Sequence, residues 1–187
     1  MQNTVEKAES SATTGLLVSN ALTLIVALVL KWPLATVIWP YWLQSAIIGW
    51  YAGKRMLALR NEKGKRFTVS FFVIHYGLFH LAYLLFLFNM PKLNSAWDYF
   101  WIIVCGISYA FAQRKTFQQQ TASDARGSPN LGNLMFLPYL RILPIHLTIL
   151  FGSMSNSTFT LLLFMPMKTA ADILFDKFDR RIANQIK

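Results

Sequence analysis

Apolar residues along this chain come in long blocks separated by short polar stretches. The blocks are Gly15–Leu30, Leu34–Tyr51, Phe67–Phe88, Ala96–Phe111, Leu131–Met154 and Phe159–Phe175. A helix that crosses a bilayer needs roughly 20 residues, within a range of about 17–25. Two blocks fall short of that and two are marginal, and their neutral flanks lengthen them to spans of about 14–31, 34–53, 67–88, 96–113, 132–154 and 157–176. The pattern predicts an all-α protein, a polytopic transmembrane bundle of six helices. A polar tail, 1–13, precedes the bundle and a basic tail, 177–187, follows it.

The breaks between blocks have the chemistry of turns. "KWP" makes a tight turn after the first block, because proline cannot continue a helix. "LRNEKGKR" reads as a basic loop, and "FNMPKLNS" and "GSMSNSTF" as neutral turns. The longest polar segment, "RKTFQQQTASDARGSPNLGN", is rich in loop-forming residues, with a helical extension through Gln118–Gln120. No internal repeat and no second domain are visible. The first block has no basic region ahead of it and no small-residue cleavage site before "KWP", so it reads as a retained helix and not a signal peptide.

Composition agrees with a membrane protein. The chain of 187 residues is 55% hydrophobic and 14% charged, against about 25% charged in soluble domains. Its net charge of +10 would suit nucleic acid, but the distribution points elsewhere. Lys54, Arg55, Arg60, Lys63, Lys65 and Arg66 fall between the second and third spans, Arg114, Lys115 and Arg126 between the fourth and fifth, and Lys177, Arg180, Arg181 and Lys187 after the sixth. The alternate connections hold only Lys31 and Lys92. This is the positive-inside pattern, with both termini cytoplasmic in a cell inner (plasma) membrane. The charge therefore implies topology and contact with anionic inner-leaflet lipids, and no nucleic-acid partner. Trp32, Trp39, Trp97 and Tyr99 near one face, and Trp50 and Tyr51 near the other, fit interfacial belts.

Candidate chemistry lies in the polar residues inside the spans. At about 1.5 Å per residue, Gln44, His75, Arg141 and Lys168 lie roughly 10–15 Å from the cytoplasmic end of their spans. Asp172 is one turn nearer the cytoplasm than Lys168. Charges in hydrocarbon cost at least about 2.5–3.5 kcal/mol each and normally face the bundle interior or a wet cavity. In "LRILPIHL", Arg141 and His146 should therefore face a shared polar interior, with Pro144 bending the helix between them. Two in-span cations, Arg141 and Lys168, compete for one in-span carboxylate, Asp172. Either the surplus charge receives an anionic ligand, or Asp172 pairs with one cation while the other reaches the cytoplasmic interface.

Gln44, His75, Arg141, Lys168 and Asp172 are thus the candidate ligand-binding residues. His75, His146 and Asp172, from three helices, could converge on a divalent metal. The alternative is that each histidine bonds a carbonyl or a tyrosine such as Tyr76, Tyr83 or Tyr139. His75 and His80 are about 140° apart around a helix and do not share a face. Cys105 is the only cysteine, which excludes an intrachain disulfide and a multi-cysteine metal site. P-loop, H-E-x-x-H and G-x-S-x-G motifs are missing. "SDARGSP" resembles part of the phosphatidyltransferase signature without the further aspartates that hold that enzyme's metals. "NST" at Asn156 is a glycosylation sequon of consequence only in a eukaryote.

The blocks "YWLQSAIIGWYAGKRML", "FFVIHYGLFH", "RILPIHLTILFG" and "KTAADIL" resemble, in order, those of an uncharacterised family of bacterial and archaeal membrane proteins, domain-of-unknown-function family 6498. The resemblance covers roughly Tyr41 to Leu174. It implies that His75, Arg141, His146, Lys168 and Asp172 are pattern positions with a joint role. It also marks a departure, because the family often has Glu where this chain has Gln44. A role for that carboxylate as metal ligand or proton acceptor would be altered here. Two functions remain open: a polar intramembrane site for an anionic ligand or a metal, and a non-catalytic subunit of a larger membrane complex whose charged layer fixes helix register. A secondary transporter is a third, without the internal repeat that many transporters have.

Overall fold

In the computed structural model, the residues described are 21, 24–25, 27–29, 31–60, 63–90, 93, 95–125, 129–152 and 157–184. Six helices and no strand occur among them. The first, α1, is described at residues 21, 24, 25 and 27–29. It is followed by α2 (Leu34–Ala58), α3 (Lys65–Asn89), α4 (Ala96–Asp124), α5 (Leu131–Gly152) and α6 (Ser157–Asn184). The polar tail 1–13, Lys92, Arg126, the sequon at Asn156 and Lys187 lie outside the described residues.

Several helix ends follow from local chemistry. α1 closes with two hydrogen bonds, Trp32 N to Ala27 O at 2.8 Å and Lys31 N to Leu28 O at 3.3 Å. Lys31 takes the left-handed conformation (φ 51°) that this closure demands. Pro33 then prevents the helix from resuming. At the start of α4, Ser95 Oγ accepts from Trp97 N (3.2 Å) while Asp98 Oδ2 accepts from Ser95 N (3.1 Å), a reciprocal cap. Asn130 Oδ1 accepts from Gly132 N and Asn133 N to start α5.

The helices outlast the apolar blocks. α4 runs past Gln118–Gln120 to Asp124, and α6 continues to Asn184 through much of the segment read as a tail. α2 carries Arg55 on its last turn, with Lys54 immediately before it. α2 is the centre of the bundle, in contact with α3, α4, α5 and α6, while α5 and α6 pair closely with each other. Its buried stripe, including Val37, Ile38, Tyr41, Ser45, Ile48 and Met56, meets Phe72 and Tyr76 of α3, Leu137 and Ile145 of α5, and Phe164 and Met165 of α6. Tyr41 and Phe164 meet edge to face at 5.3 Å.

Large apolar residues are exposed along the outward faces of α3 and α4. Phe67, Phe71, Ile74, Leu78, Leu81, Leu85 and Phe88 form an exposed stripe down α3, and Trp97, Trp101, Ile103, Ile107 and Phe111 are exposed on α4. By length and composition, one helix among the described residues, Lys65–Phe88, is long and apolar enough to cross a membrane.

Candidate functional site

Arg141, Lys168 and Asp172 meet between α5 and α6. Lys168 and Asp172, one turn apart on α6, form an ion pair, with Lys168 Nζ donating to Asp172 Oδ2 at 2.7 Å. Arg141 of α5 approaches from the other side, its Nη1 3.0 Å from Asp172 Oδ1. That contact is an ion pair by distance, but the N–H does not point at the oxygen. Arg141 Nε and Nη1 and Asp172 Oδ1 therefore remain buried without hydrogen-bond partners. The single carboxylate serves both cations, so the expected competition resolves as sharing. Aromatic faces complete the shell: the Arg141 guanidinium lies 4.7 Å from the centre of the Phe175 ring, and Lys168 Nζ 5.3 Å from that of Tyr41.

Proline shapes this region. Pro144 cannot donate to the carbonyl one turn back, and α5 also contains Pro138. Tyr41 OH donates to Arg141 O at 2.8 Å, so the backbone of α5 is tied to α2 at the residue that carries the charge.

Beside this cluster lies a cavity of about 650 Å³. Arg141, Lys168, Asp172 and Gln44 line one end, together with Tyr41 and Tyr109. Trp32, Trp97, Asp98 and Trp101 line the other, at the amino-terminal ends of α2 and α4. Its volume is that of a typical small-molecule site, about 300–1,000 Å³. Asp98 at the mouth is already engaged as the α4 cap.

Four of the five candidate ligand-binding residues, Gln44, Arg141, Lys168 and Asp172, thus share one cavity, and His75 does not. His75 is exposed on α3, with Nδ1 2.9 Å from Tyr139 OH. His146 Nδ1 is 3.1 Å from Tyr83 OH. The expected metal set of His75, His146 and Asp172 is not assembled: no group of three or more His, Cys, Asp or Glu that could hold a metal occurs among the described residues. His75 and His146 each meet a tyrosine hydroxyl across a helix contact, and Asp172 is engaged by two cations. His80 differs from the other two histidines in being buried and in meeting its own helix. Its Nδ1 is 3.1 Å from Tyr76 O, and its Nε2 is buried without a partner.

A second charged cluster lies beyond the cavity, at the carboxyl-terminal ends of α2, α4 and α6. Arg55 donates through Nε and Nη2 to both oxygens of Asp124, at 2.7 and 2.9 Å, and through Nη1 to Asp179 at 2.7 Å. Gln120 donates to the other Asp179 oxygen at 2.6 Å. Burial opposes the Arg55 charge, but the hydrogen bonds and fields of Asp124 and Asp179 outweigh it and raise the Arg55 pKa above its ordinary value. Sequence reasoning assigned Arg55 to a basic loop. The signal that identifies it is spacing: Arg55 lies seven residues after Ile48 on the stripe of Tyr41, Ser45 and Ile48.

Together the fold and site define an all-helical bundle with an internal charged cavity. A match to the family of unknown function DUF6498 extends over residues 3–186, and the chain belongs to that family. No match was found among curated proteins or among solved structures.

Proposed function

We propose that this protein crosses the inner (plasma) membrane six times, with both termini cytoplasmic, and binds an anionic ligand in the cavity between α2, α4, α5 and α6. The observation that carries the reading is the convergence of Arg141, Lys168 and Asp172 with Gln44 at one end of that cavity. Two cations share one carboxylate there, and Arg141 retains buried donors without hydrogen-bond partners. Arg141 and Lys168 against Asp172 leave a formal surplus of one positive charge in a largely buried cluster; a buried net charge is unfavourable, and an anion supplies the compensation. The exposed stripes of α3 and α4 support a lipid environment, since they would be a large unprotected apolar surface in water. The basic connections would then meet anionic headgroups of the inner leaflet.

Native mass spectrometry of the gently purified protein, with elemental analysis, tests this reading. An anionic molecule should be retained by the wild type and lost in Arg141→Leu, with the variant still folded. One observation favours a second reading: the cations already share Asp172, so the charged layer has an internal partner. A ligand-free chain that purifies only with other membrane subunits would make the charged layer structural and the protein a non-catalytic subunit of an assembly.

A further inference from the structure

The two ends of the cavity differ in chemistry, and the difference specifies a ligand. From Trp97 to Tyr109 along α4 is about 18 Å at 1.5 Å per residue. The inner end has Arg141, Lys168 and Asp172, whose formal charges sum to +1, with Gln44 and Tyr109 beside them. The remainder is walled largely by aromatic and aliphatic side chains, among them Trp32, Val37, Pro40, Trp101, Ile102 and Met165, with one carboxylate, Asp98, at its far end bonded to Ser95 N. A small inorganic anion would use the inner end and leave this apolar length empty. A neutral apolar molecule would fill the length and leave the surplus positive charge of the inner end uncompensated, which opposes binding.

Resting on the anion-binding reading above, we infer that the cavity takes a monoanionic amphiphile, a carboxylate or phosphodiester attached to an apolar body. Its charged group sits at Arg141 and its body lies along Trp101 towards Trp32 and Trp97. The single net positive charge matches one negative charge, so a doubly charged phosphomonoester of the same length is the poorer ligand. The same chemistry is available from a free long-chain acid and from a membrane lipid with a phosphodiester headgroup.

Displacement of a bromine-labelled dodecanoate tests this, because bromine in the cavity quenches Trp32, Trp97 and Trp101. The full chain is used in an uncharged detergent. Quenching should saturate, and unlabelled dodecanoate or dodecanoyl lysophosphatidylglycerol should displace the probe at least about tenfold better than dodecanol, acetate or dodecyl phosphate. Whichever of the two displaces better identifies the source as free acid or lipid. Arg141→Leu should weaken the probe at least about tenfold. Trp101→Ala, at an exposed position that leaves the fold intact, should weaken dodecanoate but not acetate, and it serves if the arginine variant does not fold. Acetate or inorganic phosphate equal to dodecanoate would overturn the amphiphile inference and leave the anion site standing. Dodecyl phosphate equal to dodecanoate would overturn the charge match. Dodecanol equal to dodecanoate, or a folded Arg141→Leu with unchanged binding, would overturn the inference and the anion site together.

Discussion

At the scale of single residues, a close approach of α2 to α3 depends on a missing side chain. Gly49 is buried, and a Cβ there would collide with the ring of Tyr76. That ring cannot simply swing aside, because its hydroxyl donates to Ser45 O at 2.9 Å, lies 3.0 Å from Ser45 Oγ, and its face stacks on His80 at 4.4 Å. Overpacking of this kind typically costs about 1–3 kcal/mol. Gly53, one turn further along α2, has open space around its Cβ position. Alanine there gains the helix preference over glycine, worth up to about 1 kcal/mol. Gly49→Ala should therefore lower the thermal unfolding midpoint in detergent, and Gly53→Ala should hold or raise it. Equal midpoints for the two variants would mean that α2 and α3 do not approach at Gly49 as described. Neither glycine is distinguishable in the sequence, where both lie in the same run "GWYAGKR". What separates them is the facing helix, and a single chain position carries no record of that.

At the scale of helices, Arg55 joins three elements that are far apart in sequence, since its partners Asp124 and Asp179 belong to α4 and α6. The same three helices wall the cavity, so the cluster holds their far ends together beneath it. Removing one member of a buried ion pair costs about 3–5 kcal/mol, because it strands the others. Arg55→Leu should therefore destabilise strongly in a denaturation series. Asp124→Asn should cost more than Asp179→Asn, because Asp124 accepts two of the three Arg55 bonds and its side chain is 6% exposed against 21%. Reversal of that order would show the bidentate bond to be unimportant. The pH dependence has a definite sign. A cation whose folded pKa is raised, as that of Arg55 is, stabilises fully below its ordinary value and loses that contribution only above it. No loss from Arg55 should appear as pH rises from neutral to about 12. Charge counting finds Arg55 but misassigns it, because a run of basic residues looks the same whether its first member ends a helix or begins a loop. Asp124 and Asp179 were likewise hidden in polar stretches that proved to be helical.

At the scale of the whole molecule, the arrangement is charged within and apolar both within and outside. The helix count was legible because blocks of apolar residues bounded by "KWP", "EKGK" and "GSMSNS" leave few alternatives. The cavity was partly legible: the depth of Gln44, Arg141, Lys168 and Asp172 places them at one level, and all four line it. Depth alone cannot give rotation about the helix axis, so it also admitted His75, which is exposed on α3 and reaches only Tyr139. The proposed topology rests on the same outward surface and on loop charge, and it makes a sided prediction. With Cys105→Ser as background, Lys63→Cys in the turn before α3 should react with an impermeant thiol reagent only from the cytoplasmic side. Lys31→Cys, in the turn between α1 and α2, should react only from the opposite side. Both positions are exposed, so reagent access does not depend on unfolding. Reaction of both from one side would place α2 within a single leaflet or outside the bilayer altogether. The charged cavity would then open to water, where Arg141 needs no ligand to satisfy it, and the anion-binding reading would lose its physical basis.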